Sequence, residues 1–194
     1  FDAQQTRSLI ASKRYCAAVL DDFGGHLHPL NYTLGLGRAA LDTGVVLHEQ
    51  SPVISVKPAA QAGGGKALVQ TAQGSVRARH VLLAGNVQLG DVSPKLARRI
   101  MPVGTYIIAT EPLDAQRAKS LVRNRACVCD TQFVLDYYRL TGDDRLLFGG
   151  RVSYSTATPR DLAATMRRSM LAVYPQLSDV KITHAWGGFV DITM

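Results

Sequence analysis

Two histidines, His26 and His28, are separated by one residue in a glycine-containing loop from Asp21 to Pro29, DDFGGHLHP. Imidazole nitrogens bind metal ions, so an H-x-H pair could provide two ligands of a metal site. A third ligand at a useful spacing is missing, and we therefore predict no bound metal. His26 could instead line a substrate or cofactor cavity, or it could be an ordinary hydrogen-bonded histidine.

Other residue patterns that carry a complete chemistry are absent from the sequence. It has no G-x-S-x-G elbow, no H-E-x-x-H motif and no P-loop, which leaves no self-contained hydrolase or kinase. A G-x-G-x-x-G fingerprint is also missing, so no diphosphate-binding turn is recognisable in this chain. The cysteines Cys16, Cys127 and Cys129 show no C-x-x-C spacing, which favours buried free thiols in a reducing cytoplasm.

The net charge of +7 raises the question of a nucleic-acid partner. The densest basic groups, Arg98–Arg99 and Arg167–Arg168, have no neighbouring aromatic residues for base stacking, so we expect a solvated basic surface and no nucleic acid. No apolar run approaches the roughly 18 residues of a membrane span, and no signal-peptide pattern opens the chain. We therefore expect a cytoplasmic protein without a membrane partner. The sequence gives no indication of the oligomeric state.

The first half of the chain is organised around a strand from Val76 to Asn86, VRARHVLLAGN. Its alternating start changes to an unbroken apolar run that ends at Gly85, as is typical of a strand entering the middle of a sheet. Open α/β sheets place ligands at the carboxyl ends of such strands. The other elements predicted in this half are a helix over residues 3 to 13, a strand from Tyr15 to Leu20, a helix from Pro29 to Gly44, strands at Val45–His48, Val53–Val56 and Ala67–Thr71, and a loop from Ala59 to Lys66.

The second half has the pattern of an antiparallel sheet with helices on one side, an α+β domain. Its predicted strands are Pro102–Thr110, Ala126–Cys129, Phe133–Leu140, Arg145–Phe148 and Lys181–Ile192, and its predicted helices are Asp114–Leu121 and Asp161–Tyr174. The predicted fold class is thus α/β plus α+β, with a partial nucleotide-binding half-domain at residues 1–100 and a second domain, for substrate binding, at 101–194. Because the chain begins at Phe1 and stops at Met194 directly after a strand-like run, we expect it to be a piece of a longer protein.

Six strings follow one another with compatible spacing over nearly the whole chain: GGHLHPLNYTLGLGRAA, HEQSPV, VLLAGN, MPVGTYIIATEPL, RLLFGGRVSYS and AWGGFVDIT. Together they resemble the central part of the FAD-dependent amine oxidoreductases of the D-amino-acid-oxidase superfamily, in the glycine-oxidase and gamma-glutamylputrescine-oxidoreductase branch. The latter matches more closely, through GGHLHPLNY, MPVGTYIIATEP and WGG-x-x-DIT. The resemblance implies a flavoenzyme of putrescine catabolism, with FAD accepting a hydride as the carbon–nitrogen bond of a small-molecule amine is oxidised.

The resemblance also implies roles for individual residues. Val53 would meet the adenine edge through its backbone, and Ala84 and Gly85 would approach the ribose-diphosphate. Tyr137 matches a position at which relatives present a tyrosine to the substrate, and Trp186, beside two glycines, would form a cavity wall. Ordinary positions in a sheet or core are the open alternatives for Val53, Tyr137 and Trp186. The resemblance singles out no catalytic residue.

One departure from the family pattern bears on the substrate. Amino-acid-oxidising relatives carry a G-x-R-P stretch whose arginine pairs with the substrate carboxylate. Here Val190 stands at the place of that arginine, so the bidentate clamp is absent. The departure favours an amine without a neighbouring carboxylate, and Asp191 could help to attract a cation. The alternative from another class is a non-catalytic α+β binding domain that uses its sheet or basic surface for a partner.

Overall fold

The computed structural model of this chain describes residues 1–58, 65–154, 157 and 159–193. The helices of the described residues are α1 (Ala3–Leu9), α2 (Pro29–Asp42), α3 (Pro94–Ala97), α4 (Ala115–Leu121) and α5 (Leu162–Val173). Their strands are β1 (Val53–Lys57), β2 (Ala67–Thr71), β3 (Ser75–Ala78), β4 (Ile100–Thr110), β5 (Val128–Cys129), β6 (Tyr137–Leu140), β7 (Leu146–Ser153) and β8 (Ile182–Thr193). Most of the loop predicted from Ala59 to Lys66 lies outside the described residues.

The chain forms two compact units. The sheet unit comprises Phe1–His26 and Val103–Phe189, and the meander unit comprises Leu27–Pro102 and Val190–Met194. The strands β4 and β8 each pass from one unit into the other. The change of unit at Pro102 lies close to the domain boundary predicted near residue 100, whereas Phe1–His26 lies in the unit that holds most of the second half.

The sheet unit is built on five strands in the order β5-β6-β7-β4-β8. The pairs β5–β6, β6–β7 and β4–β7 are antiparallel. Side chains alternate across such a sheet, so Tyr106 and Ile108 of β4 are buried on one face, whereas Thr105 and Ile107 point to the other and are half-buried. We call these the core face and the open face. The antiparallel sheet predicted for the second half is confirmed.

The core face is covered by α4 and α5. The helix α5 buries four residues at helical spacing, Leu162, Met166, Met170 and Val173. The ring of Tyr138 in β6 stacks on that of Phe148 in β7, with centroids 5.7 Å apart, and meets Tyr174 edge-on at 5.3 Å. The buried apolar residues form one cluster between the sheet and these two helices. Because apolar burial is the main favourable contribution to folding, this cluster is the core that stabilises the sheet unit.

The meander unit contains a three-stranded antiparallel sheet in the order β1-β2-β3. The helix α2 starts with Pro29 at its first position, and the Asn31 N–H donates to the His28 ring at 3.3 Å. It ends just before Gly44, whose φ of +86° is the left-handed conformation that glycine adopts most easily. The helix carries four leucines, but all four are exposed and no residue of α2 is buried.

Three predicted strand segments are not strands in the structure. The backbone of residues 15–20, 45–48 and 79–84 is irregular, and among the described residues no strand pairs with any of them. The apolar run from Val81 to Ala84 was predicted to be buried on both faces, yet Leu82 is 90% exposed. Burial on both faces requires a sheet strand with other elements packed above and below it, and β3 ends at Ala78 before this run begins.

The prediction of buried thiols was also wrong. Cys16, Cys127 and Cys129 are all exposed free cysteines. Burial of part of its surface, followed by the charge of Asp130, nevertheless raises the pKa of the Cys129 thiol, which disfavours the thiolate. Among the helices of the described residues, none is both long enough and apolar enough to cross a membrane.

Candidate substrate face and cofactor edge

The seven residues singled out from the sequence divide between the two units. His26, Tyr137 and Trp186 belong to the sheet unit, and the remaining four, Val53, Ala84, Gly85 and Asp191, belong to the meander unit.

Tyr137 is the first residue of β6, and its ring lies across the open face of the sheet. It pairs in register with Gly149 of β7, which in turn pairs with Ile107 of β4. A Cβ atom on Gly149 would overlap the Tyr137 ring and come within 2.7 Å of its hydroxyl oxygen, so the ring covers bare backbone. The hydroxyl group reaches β4, where it lies 3.0 Å from the Oγ1 atom of Thr105.

Trp186 lies on the same open face. A Cβ atom on Gly187 would meet the Tyr106 ring at 2.5 Å, so Gly187 faces the core side of β8. Neighbouring residues of a strand point to opposite faces, and Trp186 therefore points to the open side. It is 44% exposed, which makes it an accessible aromatic surface and not a core residue of the described structure.

His26 is linked to the open face through Arg139, which follows Tyr137 by two residues on β6. The Nη1 atom of Arg139 lies 3.2 Å from His26 Nδ1, and His26 Nε2 lies 3.1 Å from the Arg125 carbonyl oxygen. A guanidinium group can only donate, so Nδ1 accepts and Nε2 carries the hydrogen that it donates to the carbonyl. The two contacts together hold the imidazole ring in one orientation.

The other histidine of the H-x-H pair has a structural role, because His28 caps α2. No group of three or more histidine, cysteine, aspartate or glutamate side chains in the described part of the chain could hold a metal ion.

Of the residues expected near a nucleotide, Val53 and Ala84 are exposed and Gly85 is half-buried. Val53 opens β1 and is 37% exposed, and Ala84 and Gly85 follow β3 in the irregular segment. Gly85 precedes a short 3₁₀ turn, Asn86–Gln88, and its missing Cβ leaves room for Leu89, whose Cδ2 atom would otherwise lie 2.9 Å away. Asp191 is exposed on β8, next to the half-exposed Val190.

Two arginines could bind a carboxylate in the absence of the family's arginine, and they lie in different settings. Arg139 is on the open face, engaged with His26. Arg151 is the extra residue of a β-bulge, because Thr105 pairs with Val152 and Tyr106 with Gly150. Its φ of +55° is rare for a residue with a side chain.

Comparison with known proteins decides the family. Residues 1–194 match the DAO family of FAD-dependent oxidoreductases. The chain belongs to this family. The predicted relationship and the predicted cofactor, FAD, are thereby confirmed, and they argue against the alternative of a non-catalytic binding domain.

Individual relatives support the same assignment. The chain is 43% identical over 194 residues to gamma-glutamylputrescine oxidoreductase of Escherichia coli and 42% identical over 199 residues to the probable oxidoreductase OrdL of Haemophilus influenzae. Each alignment covers 100% of this chain but 44% of the relative, so the chain spans less than half the length of these proteins.

Solved structures share the fold. Glycine oxidase from Geobacillus kaustophilus matches with a TM-score of 0.65 at 16% identity, over 82% of this chain and 41% of that one. L-proline dehydrogenase from P. horikoshii matches with a TM-score of 0.66 at 16% identity, over 83% and 43%. The mixed α and β architecture predicted from the sequence is confirmed by these neighbours.

Two residues of the meander unit, Ala84 and Gly85, could offer backbone donors to an FAD molecule. Among the backbone hydrogen bonds of the described residues, none is donated by the N–H groups of Ala84 or Gly85, and both residues are small. These groups could donate to a ribose or phosphate oxygen, and Val53 could meet the adenine through its backbone. The G-x-G-x-x-G turn that leads into a helix at the usual diphosphate site does not occur in the sequence of these 194 residues.

Sequence reasoning missed Thr105 and Gly149. Glycine in a strand often marks a close approach of another group, so the Gly149–Gly150 pair directly after the predicted strand Arg145–Phe148 was an available signal. Thr105 carried no such signal, since its contact with Tyr137 depends on the register of three strands.

Proposed function

We propose that the full-length protein oxidises the carbon–nitrogen bond of an amine without a carboxylate next to the nitrogen, such as gamma-glutamylputrescine. FAD, when bound, supplies the acceptor for the hydride that leaves the carbon. We further propose that the protein acts in putrescine catabolism in the cytoplasm. The observation that carries the proposal is Val190, a half-exposed, uncharged side chain where amino-acid-oxidising relatives have arginine.

The open face of the sheet unit supports this proposal with residues suited to an amine. The Tyr137 hydroxyl offers a hydrogen-bonding group at the surface of the sheet. An exposed tryptophan such as Trp186 can cover an alkyl chain or face a cation. His26, fixed by Arg139 and Arg125, is proposed to line the same face. Asp191, an exposed carboxylate, is proposed separately to attract a cationic amine.

The test compares substrates on the full-length enzyme. An unpaired carboxylate in a partly dehydrated site is unfavourable, and a charge-assisted hydrogen bond contributes about 1.5–3 kcal/mol. That energy corresponds to about one to two decades in affinity. We therefore expect kcat/KM for gamma-glutamylputrescine to exceed that for glycine or D-alanine by at least about tenfold.

The variant Val190→Arg should shift this preference towards amino acids by about one to two decades. Val190→Gln is the matched control, because it lengthens the side chain without adding charge. Asp191 could pair with the new arginine, so the shift should be larger when Asp191→Asn is combined with Val190→Arg. A wild-type enzyme that already prefers the amino acids would contradict the proposal and would point to Arg139 or Arg151 as the carboxylate ligand.

A further inference from the structure

The Tyr137 hydroxyl is held by a strand that is not adjacent to its own. The strands β6 and β4 are separated by β7, and neighbouring strands lie about 4.8 Å apart. The tyrosine side chain therefore crosses over β7, and its hydroxyl oxygen lies 3.0 Å from Thr105 Oγ1 on β4. It can do so only because Gly149, the β7 residue between them, has no side chain.

The contact between Tyr137 and Thr105 lies outside the hydrophobic core of the sheet unit. The buried aromatic contacts of the sheet unit, Tyr138 with Phe148 and with Tyr174, are on the core face. Tyr137 and Thr105 are both half-buried on the open face, together with the exposed Trp186. The contact is thus positioned where a ligand could reach the phenol oxygen.

Hydrogen-bond chemistry links this contact to the type of substrate. The two hydroxyl groups can each donate or accept. When Tyr137 donates its hydrogen to Thr105, the phenol oxygen keeps lone pairs that can accept from an amine N–H. An α-amino acid can donate an N–H in the same way, but its neighbouring carboxylate would then lie close to the lone pairs of the phenol oxygen, which repel it.

We propose that Thr105 and Gly149 are positioning residues that hold the Tyr137 hydroxyl as an acceptor for the substrate amine, and that they thereby favour amines without a neighbouring carboxylate over α-amino acids. Thr105 fixes the direction of the O–H bond, and Gly149 provides the bare backbone on which the ring lies. The inference rests on the proposed amine oxidation, which it extends to two residues that the family resemblance does not assign.

The test is a double-mutant cycle on the full-length, FAD-loaded enzyme with Thr105→Val, Tyr137→Phe and both together. Loss of one hydrogen bond should lower kcat/KM for gamma-glutamylputrescine by about five- to tenfold in each single variant. The double variant should lose no more than Tyr137→Phe alone, because Thr105 acts through Tyr137. Thr105→Ser, which keeps the hydroxyl, should restore the wild-type value.

A substrate comparison separates positioning from a merely structural role. Thr105→Val should lower the ratio of kcat/KM for the amine to kcat/KM for glycine, whereas simple destabilisation would lower both values together. Gly149→Ala should lower that ratio at least as much as Tyr137→Phe, because the added methyl group displaces the ring. Gly142→Ala is the control: it adds the same methyl group in the β6–β7 turn, where nothing lies within 4 Å.

The outcomes distinguish this inference from the function on which it rests. An enzyme that oxidises amines but shows additive losses in the cycle, or an unchanged substrate ratio in Thr105→Val, overturns the positioning role and leaves the proposed function standing. An enzyme that oxidises no amine overturns the proposed function, and the inference with it.

Discussion

At the scale of single residues, one ion pair joins two separate segments of the sheet unit. Arg117 in α4 donates to Asp179 at 2.9 Å and to the Gln176 carbonyl oxygen at 2.6 Å. The bond from Arg117 lowers the pKa of the Asp179 carboxyl group from its ordinary value of 3.8 to about 2. The charged carboxylate is thus favoured by folding, so the pair contributes stability above about pH 4 that is lost as the pH falls towards 2.

The variant Asp179→Asn should remove that pH dependence. Its free energy of unfolding should fall below that of the wild type at pH 6, and the difference should shrink as the pH is lowered through 4 and vanish near 2. Because the carboxylate is exposed, the difference should also shrink in high salt. Urea denaturation of the 194-residue chain at a series of pH values measures it. A difference that stays constant from pH 6 to 2 would contradict the assigned ion pair.

The candidate site shows which residue-level features can be predicted from a sequence. Trp186 lies within a string that resembles a known family and Tyr137 lies between two of them, and both lie on the open face of the described sheet. Thr105 and Gly149 were not predicted, because their relation to Tyr137 exists only once β6, β7 and β4 are in register. Short-range patterns identify chemically suited residues, whereas contacts across strands require the three-dimensional arrangement.

At the scale of elements, α5 forms much of the core. Met166 and Met170 are completely buried among the aromatic and aliphatic residues of the core face. Removing a buried side chain leaves both a lost transfer free energy and a cavity, and a methionine-to-alanine change typically costs about 2–5 kcal/mol.

We therefore expect Met170→Ala to lower the free energy of unfolding of the chain by about 2–5 kcal/mol. Met170→Leu, which conserves volume, should cost less than about 1.5 kcal/mol. A second control, Arg168→Ala, changes an exposed residue of the same helix and should stay within about 0.5 kcal/mol. Chemical denaturation followed by circular dichroism gives all three values. Equal losses for the alanine and leucine variants would show that α5 does not pack as described.

Elements were predictable where their pattern is local. The helix α5 has its apolar residues at helical spacing, and β4 is a long run rich in β-branched residues between turn signals. The three predicted strand segments at residues 15–20, 45–48 and 79–84, none of which is a strand, each contain a short apolar run. An apolar run is compatible with a strand, but a strand forms only where a partner strand pairs with it. The sequence of the run does not show whether such a partner is present.

At the scale of the whole molecule, the two units differ in how much they bury. Among the described residues, nearly all the buried apolar side chains belong to the sheet unit, and the meander unit contributes Ala67 and Leu89. The exposed leucines of α2 and the exposed Leu82 belong to that second unit. The residues proposed to meet FAD, Val53, Ala84 and Gly85, therefore lie in the unit with the smaller core.

This distribution leads to a prediction for cofactor binding by the 194-residue chain alone. An FAD diphosphate is usually held at a helix N-terminus after a glycine-rich turn, and the chain has no G-x-G-x-x-G sequence to form one. Backbone donors at Ala84 and Gly85 would supply only part of the binding energy. We expect a Kd weaker than about 1 mM, which corresponds to less than about 4 kcal/mol. Titration with FAD, followed by flavin fluorescence, measures the affinity, with the full-length protein as the positive control. Purification of the 194-residue chain as a yellow protein with one FAD per chain would contradict the prediction, and it would show that the diphosphate is bound by residues without the usual glycine-rich turn.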